Sequence, residues 1–324
     1  MGVGSSNLLC STNLRLPIRK AYLATVGKPV VFRNGEGCPS KSDNFNKLAA
    51  ADQQCGDFMT REPVVAGQFY PSDKKHLKKD LAQLIKPSSR TVDAIGAILP
   101  HAGYIYSGHV AGEVYGKLIP KEIYIVLSPN HTGQGSRFAI SLEAWRTPLG
   151  EVSIEQGLAK TMIGKTSLLE EDSSAHKFEH SIEVQLPFIQ TTSPAAKIVP
   201  MTILSGSVGE LAEVAGAIAY AMSKIKDKAV MIASSDMTHY ETRENATKKD
   251  KAAIARILDL DPEGLLKIVR DMDISMCGYI PSVIMLMAAK KLGATKAELV
   301  KYSDSGDVTG DTAQVVGYAG IIIY

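Results

Sequence analysis

A chain of 324 residues, 45% hydrophobic and 22% charged, holds enough apolar material for one large globular core or two smaller ones. Its 36 basic residues nearly balance 34 acidic ones, for a net charge of +2, and no Lys/Arg block marks a nucleic-acid or membrane-surface footprint. No run approaches ~18 consecutive apolar residues and no compact apolar signal core opens the chain, so neither a membrane span nor secretion is expected and the cytoplasm is the expected compartment.

Residues 1–58 are rich in Ser, Asn, Gly and Lys and show no sustained periodicity, which reads as an N-terminal extension outside the folded domain. Ordered patterning starts just after Met59, and one expectation is that translation begins there, which mass spectrometry of the native N-terminus tests. The four cysteines, Cys10, Cys38, Cys55 and Cys277, show no C-x-x-C spacing, so neither a disulfide framework nor a zinc ribbon is indicated.

From residue 59 onward strand-like and helix-like segments alternate. Ser72-Asp73 reads as the N-cap of a helix bearing Leu77, Leu81, Leu84 and Ile85, closed by Pro87. A buried strand ends at Pro100, a helix runs through Val110–Tyr115, and a second buried strand ends at Ser128. Phe138–Leu142 and Gly150–Ile154 flank Trp145–Leu149 in a hairpin-like excursion. Helices follow near Glu155–Ile163 and His180–Ile189, then a strand at Lys197–Ile203 and a long helix at Val208–Lys224. After a strand ending at Ser235 come helices at Lys249–Leu258, Pro262–Arg270 and Ile280–Leu292, and closing strands near Val300 and at Gln314–Ile323. The alternation predicts a single α/β domain, 59–324, with a mostly parallel mixed sheet and helices on both faces.

Three strand ends deliver a histidine. Pro100 is followed by His101, Asn130 by His131, and Ser234-Ser235 by Asp236-Met237-Thr238-His239. Open α/β sheets bind ligands beyond the carboxyl ends of their strands, so these side chains point to one crevice. Two histidines with an anionic third ligand suit a transition metal, and that ligand is Asp236 or Cys277, a thiolate favouring softer ions such as copper or zinc. Tyr104 and Tyr106, in the stretch after His101, are candidates for lining the pocket. His180 and Glu183, three apart, are candidates for lining it from another side. The glycines around Gly103–Gly112 match no phosphate-binding loop, and the carboxylates of Asp304–Asp311 depart from calcium-loop spacing.

A competing signature is His176-Lys177-Phe178-Glu179-His180, formally H-x-x-E-H, in which a helix presents two zinc-binding histidines with a glutamate as base. Pro187 limits that helix.

Arg61-Glu62-Pro63 with Ala66-Gly67-Gln68-Phe69-Tyr70-Pro71, then Pro100-His101-Ala102-Gly103-Tyr104, Asn130-His131-Thr132, Glu179-His180-Ser181-Ile182-Glu183, Ser235-Asp236-Met237-Thr238-His239-Tyr240 and Cys277-Gly278 resemble, in order, the MEMO family. The resemblance runs from about residue 60 to the end and is greatest to the prokaryotic members, the AmmeMemoRadiSam system protein B, often encoded near an AMMECR-type protein and a radical SAM protein. It implies a LigB-like fold, that of the class III extradiol dioxygenases, whose iron(II) is held by two histidines and a glutamate. By that comparison His101 and His131 fall on iron-binding positions and His239 on the catalytic histidine, while Cys277 stands where the dioxygenases have glutamate. Iron(II) or copper is the cofactor implied, with zinc an alternative.

Three functions are therefore carried forward. In the first, His101, His131 and Cys277 hold iron or copper, His239 is the acid/base and Asp236 orients the set, giving a redox or oxygenase-like enzyme. In the second, the crevice is a non-catalytic module for a peptide or small ligand. The third is a zinc hydrolase centred on His176 and His180.

Overall fold

In the computed structural model of the protein, which describes residues 60–324, the alternating pattern becomes strands and helices in the order the sequence suggests. The first strand, β1 (Thr60–Arg61), leads to α1 (Lys74–Leu84), whose N-cap Asp73 accepts from the His76 amide and whose Leu77 and Leu81 are buried. There follow β2 (Gly96–Leu99), α2 (Tyr104–Tyr115), β3 (Ile123–Pro129), β4 (Phe138–Ile140), β5 (Ala144–Thr147), β6 (Gly150–Val152), α3 (Gln156–Ile163) and β7 (Glu170–Glu171). A single 3-10 turn, Glu183–Gln185, runs into α4 (Leu186–Thr192), then β8 (Lys197–Ile203), α5 (Val208–Met222), β9 (Ala229–Ser234) and β10 (His239–Glu241). The remainder is α6 (Arg243–Leu258), α7 (Pro262–Asp271), α8 (Tyr279–Lys291), β11 (Ala297–Asp304), α9 (Gly306–Thr309) and β12 (Val315–Ile323).

The main sheet has the order β10-β12-β2-β9-β3-β8-β4-β7, with β11 also paired to β12. Its centre, β2-β9-β3-β8, is parallel, so these four strands end on the same edge. Toward the flanks the pairing turns antiparallel, β12 running against β2, β10 and β11 and β4 against β8, while the edge strand β7 lies parallel to β4. The predicted α/β class with helices on both faces holds, with parallel pairing concentrated in the middle. Along β3, Ile123, Ile125 and Leu127 enter a core shared with α5, α7 and α8, while Tyr124 and Val126 enter one shared with α1, α2 and α4. A strand covered on both faces reads as a continuous apolar run, which is why these strands stand out in the sequence.

Several boundaries move. The hairpin forms from β5 and β6 alone, and β1 lies parallel to β5 to make a separate three-stranded sheet, while 138–140 joins the main sheet. Helix α2 starts at Tyr104, and α6 starts at Arg243 behind a Thr242 cap, ahead of its apolar positions. The helix expected at His180–Ile189 is a turn followed by α4, whose first turn holds Pro187. Proline is suited to that position because its missing N–H has no intrahelical acceptor there, so Pro187 opens a helix instead of closing one. Among the described residues no helix is long and apolar enough to cross a membrane. The proposed extension, the Met59 start, Cys10, Cys38 and Cys55 lie outside the described residues.

Candidate metal centre

The parallel centre of the sheet brings two of the three strand-end histidines together, His101 and His131, while His239 stands outside the group at the start of β10. His101 follows β2, His131 follows β3, and Asp236 follows β9, the strand between them. A third imidazole, His180, arrives from the turn before α4. Among the described residues His101, His131 and His180 form a group in which one ligand atom from each lies within 4.8 Å of the others. Their rings are packed together: His131 stacks on His180 with centroids 4.9 Å apart, and His101 meets both edge-on at 5.3 and 5.4 Å. Phe69 closes over His180 at 5.0 Å.

The hydrogen bonds fix which nitrogen of two of these rings is free. The Ser234 hydroxyl has one proton, and it goes to the Ser181 carbonyl at 2.8 Å. Gln185 Nε2 donates to the Ser234 oxygen at 3.0 Å, so His101 Nδ1, also at 3.0 Å, is a second donor to it. His101 is thereby the Nδ1–H tautomer, and its Nε2 lone pair faces Cys277 Sγ at 3.3 Å. His131 Nδ1 lies 3.0 and 3.2 Å from the two oxygens of Glu179, an acceptor when ionised, so Nε2 is the nitrogen left to face the cluster, and it offers a lone pair once the ring gives up its second proton. Each histidine is also gripped by its backbone, His101 N donating to Asp236 Oδ1 at 2.8 Å and His131 N to Glu179 Oε2 at 2.7 Å.

Cys277 reaches the cluster because Gly278 lies hard against β9. A Cβ on Gly278 would meet the Ser234 carbonyl oxygen at 2.3 Å and the Ser235 Cβ at 2.5 Å. Only a residue without a side chain fits there. The Asp236 amide points at Cys277 Sγ, 3.3 Å away.

Charge is distributed unevenly across the cluster. Burial pushes His101 well below the ordinary imidazole value, helped by the neighbouring His131 and His180. Burial likewise lowers His180 to about 4, so both rings are neutral at pH 7. His131 goes the other way: burial opposes its charge, yet the Glu179 carboxylate and Cys277 together hold it well above the usual range. Glu179, fully buried, is held well below the carboxylate range by His131, His180 and Ser181 against the same burial cost. Burial raises the Cys277 thiol and the Asp236 carboxyl.

The other expected residues separate into two kinds. His239 sits half-buried at the start of β10, its amide donating to Ser275 Oγ at 2.8 Å and its Nδ1 at 2.9 Å from the Ser275 carbonyl, which leaves Nε2 free. Tyr240 beside it has φ +57, a left-handed conformation uncommon outside glycine. Tyr106 is half-buried in the first turn of α2. Tyr104, expected to line the pocket, is packed beneath it: its ring contacts Tyr70 and Phe188 and its hydroxyl donates to the Val184 carbonyl at 2.8 Å. Glu183, expected to face the crevice, is fully buried and saturated. It pairs with Arg61 and accepts from the amides of Val64 and Val65 at 2.9 and 3.0 Å and from the Tyr70 hydroxyl at 2.7 Å. Its work is to pin residues 61–70 to the turn before α4.

The H-x-x-E-H reading fails on geometry, since 176–180 is turn, not helix. His176 is buried away from the cluster, with Nδ1 at 2.9 Å from the Thr202 hydroxyl and its ring against Trp145. Residues that sequence reasoning did not assign are Glu179 as the partner of His131, and Ser234 with Gln185 as the lock on His101. Glu179 had a signal, its place beside His180 in the resembling motif. Ser234 and Gln185 had none, because their contacts join distant segments.

Comparison with known proteins places the chain in a family. The profile of the family described as "Memo-like protein" matches residues 61–322. A "MEMO1 family protein" of Methanosarcina mazei is 44% identical over 265 residues, 81% of this chain and 98% of its own. Another from Methanopyrus kandleri is 41% identical over 279 residues, 82% of this chain and 99% of its own. A solved structure, an uncharacterized protein from Escherichia coli K12, covers 70% of this chain and 98% of its own at 14% identity and TM-score 0.48, so the LigB-like expectation rests on sequence resemblance. With the profile spanning nearly all of the described residues and two relatives above 40% identity over nearly their full lengths, the chain belongs to the Memo-like family.

Proposed function

We propose that the protein binds a transition metal ion through His101, His131 and His180, with Cys277 as a further donor, and uses it for redox or dioxygenase-like chemistry on a small organic or peptide ligand. The observation that carries this reading is the trio of imidazoles whose ligand atoms lie within 4.8 Å of one another. Metal-binding histidines characteristically commit their second nitrogen to a carboxylate or another fixed acceptor, as His131 and His101 do here. Imidazole and thiol donors suit iron, copper or zinc and not the hard oxygen-seeking cations. When bound, such an ion polarises a coordinated oxygen and, if iron or copper, exchanges electrons.

The chain's own groups supply the rest. His101 and His180, neutral at pH 7, offer lone pairs without first losing a proton. Cys277 is a protonated thiol until a cation beside it stabilises the thiolate. His239, with Nδ1 turned to Ser275, has Nε2 available to take a proton from a ligand, and Asp236 holds the His101 backbone in place. The proposed setting is the cytoplasm, with an AMMECR-type protein and a radical SAM protein as functional partners, as the resemblance implies.

Metal content decides the matter. Protein purified anaerobically with thiols reduced and offered iron(II), copper(I) and zinc should retain stoichiometric metal. His101→Ala and His131→Ala should lose it, Cys277→Ala should hold it more weakly, and His176→Ala should be unaffected. A folded wild type that retains none of the three ions overturns the proposal.

A further inference from the structure

The Glu179 carboxylate is enclosed and heavily used. Its Oε1 accepts from the Ser181 amide at 2.9 Å and hydroxyl at 2.6 Å and lies 3.0 Å from His131 Nδ1 and 3.5 Å from His180 Nδ1. Its Oε2 accepts from the His131 amide at 2.7 Å. The residue's own carbonyl accepts from Arg61 at 2.7 Å, so the backbone is fixed as well. One carboxylate therefore faces the Nδ1 side of two of the three clustered imidazoles, and it is fully buried with no water to compete.

We infer that Glu179 is the positioning residue of the metal centre, the group that turns both His131 and His180 so that Nε2 is presented to the ion. This rests on the metal-binding reading. Ser181 in turn aims Glu179, donating twice to the same oxygen. The ionised carboxylate accepts from the His131 ring and sets its negative charge 3.5 Å from His180 Nδ1, favouring a proton on that side of the second ring. A glutamine side chain there has one oxygen and an NH2 that cannot accept, so it cannot serve the Ser181 donors on one oxygen and the His131 amide on the other, and it carries no charge to orient the His180 ring. Glu179 touches no ion itself and acts through the rings it holds.

The experiment is an anaerobic cobalt(II) titration of the full chain followed by visible absorption, which reports both affinity and ligand geometry, with circular dichroism to confirm folding. Glu179→Gln should bind cobalt 10- to 100-fold more weakly, the range found when such outer partners are removed, with altered absorption bands. Ser181→Ala, which leaves every imidazole and carboxylate in place, should weaken binding several-fold and supplies the answer if Glu179→Gln does not fold. Glu183→Gln, an equally buried carboxylate on the same turn that faces Arg61 and Tyr70, should bind cobalt like wild type. Wild-type affinity and spectrum in the folded Glu179→Gln and in Ser181→Ala overturn the inference while leaving the metal site standing. An equal loss in Glu183→Gln also overturns it, since loosening of the frame then accounts for the effect. Absence of cobalt binding by the wild type removes the metal reading and this inference with it.

Discussion

Between residues 176 and 183 the chain sends four ionisable groups inward, and they part company. Glu179 and His180 turn toward the other two imidazoles, whereas His176 and Glu183 turn into the frame that supports them. Glu179 and Glu183 are the same side chain, both fully buried, both met by several donors. Burial and saturation therefore do not mark a functional group. The separating feature is what lies beyond the partner: past Glu183 are the Arg61 guanidinium and the Trp145 ring 4.2 Å above it, a closed structural unit. Past Glu179 are imidazoles whose ligand atoms lie within 4.8 Å of one another, with the Cys277 thiol beside them.

If that division is right, damage to the frame should show in stability and damage to the site in metal binding. The largest effect is expected from Glu183→Ala, which strands a buried guanidinium and should cost about 3–5 kcal/mol. Urea denaturation measures it, and metal affinity per folded molecule should stay at the wild-type value; a matching loss of affinity would dissolve the distinction. His176 gives a pH-dependent version. Burial holds it at about 4 against 6.5 for an ordinary histidine, so the unfolded chain takes up its proton first. Its neutral ring contributes fully above pH ~6.5 and that contribution declines toward pH ~4, by up to about 3 kcal/mol. The wild type minus His176→Gln difference in denaturation midpoints across that range should show this slope, and a flat difference would refute it. The smallest effect is expected where site meets frame. Gly278→Ala should cost about 1–3 kcal/mol by overpacking against Ser234 and should move Cys277 away from His101, seen as alkylation of the thiol at the same rate with or without metal.

Much of the architecture was legible in the sequence. β3, β8 and β9 are apolar runs because both faces are covered, and the histidines at the ends of β2 and β3 follow from counting to the end of each run. Local pattern could not separate Glu179 from Glu183, because each looks like a carboxylate near a turn. Pro187 was misleading for a similar reason: proline ends one helix and begins another with equal ease, and only the preceding turn shows which. Tyr104 reads as pocket-lining from its distance to His101 in sequence, but α2 starts at that residue and rolls its ring into the core. The Ser234 and Gln185 lock joins positions 133 and 49 apart in sequence, a range at which periodicity carries no information.

The contact between His101 and Cys277 spans 176 positions. While the chain is emerging from the ribosome, His101 and His131 are present long before β9, which carries the hydrogen-bond lock on His101, and before the thiol. Until those arrive each imidazole is a solitary, rotating side chain with the weak affinity of any exposed histidine. If the cluster holds an ion as proposed, a nascent chain has no competent trap for it, and loading would belong to the finished domain. On the proposed metal reading, an ion would add its binding free energy to the completed structure alone, which would tie the lifetime of the fold to the supply of metal around it.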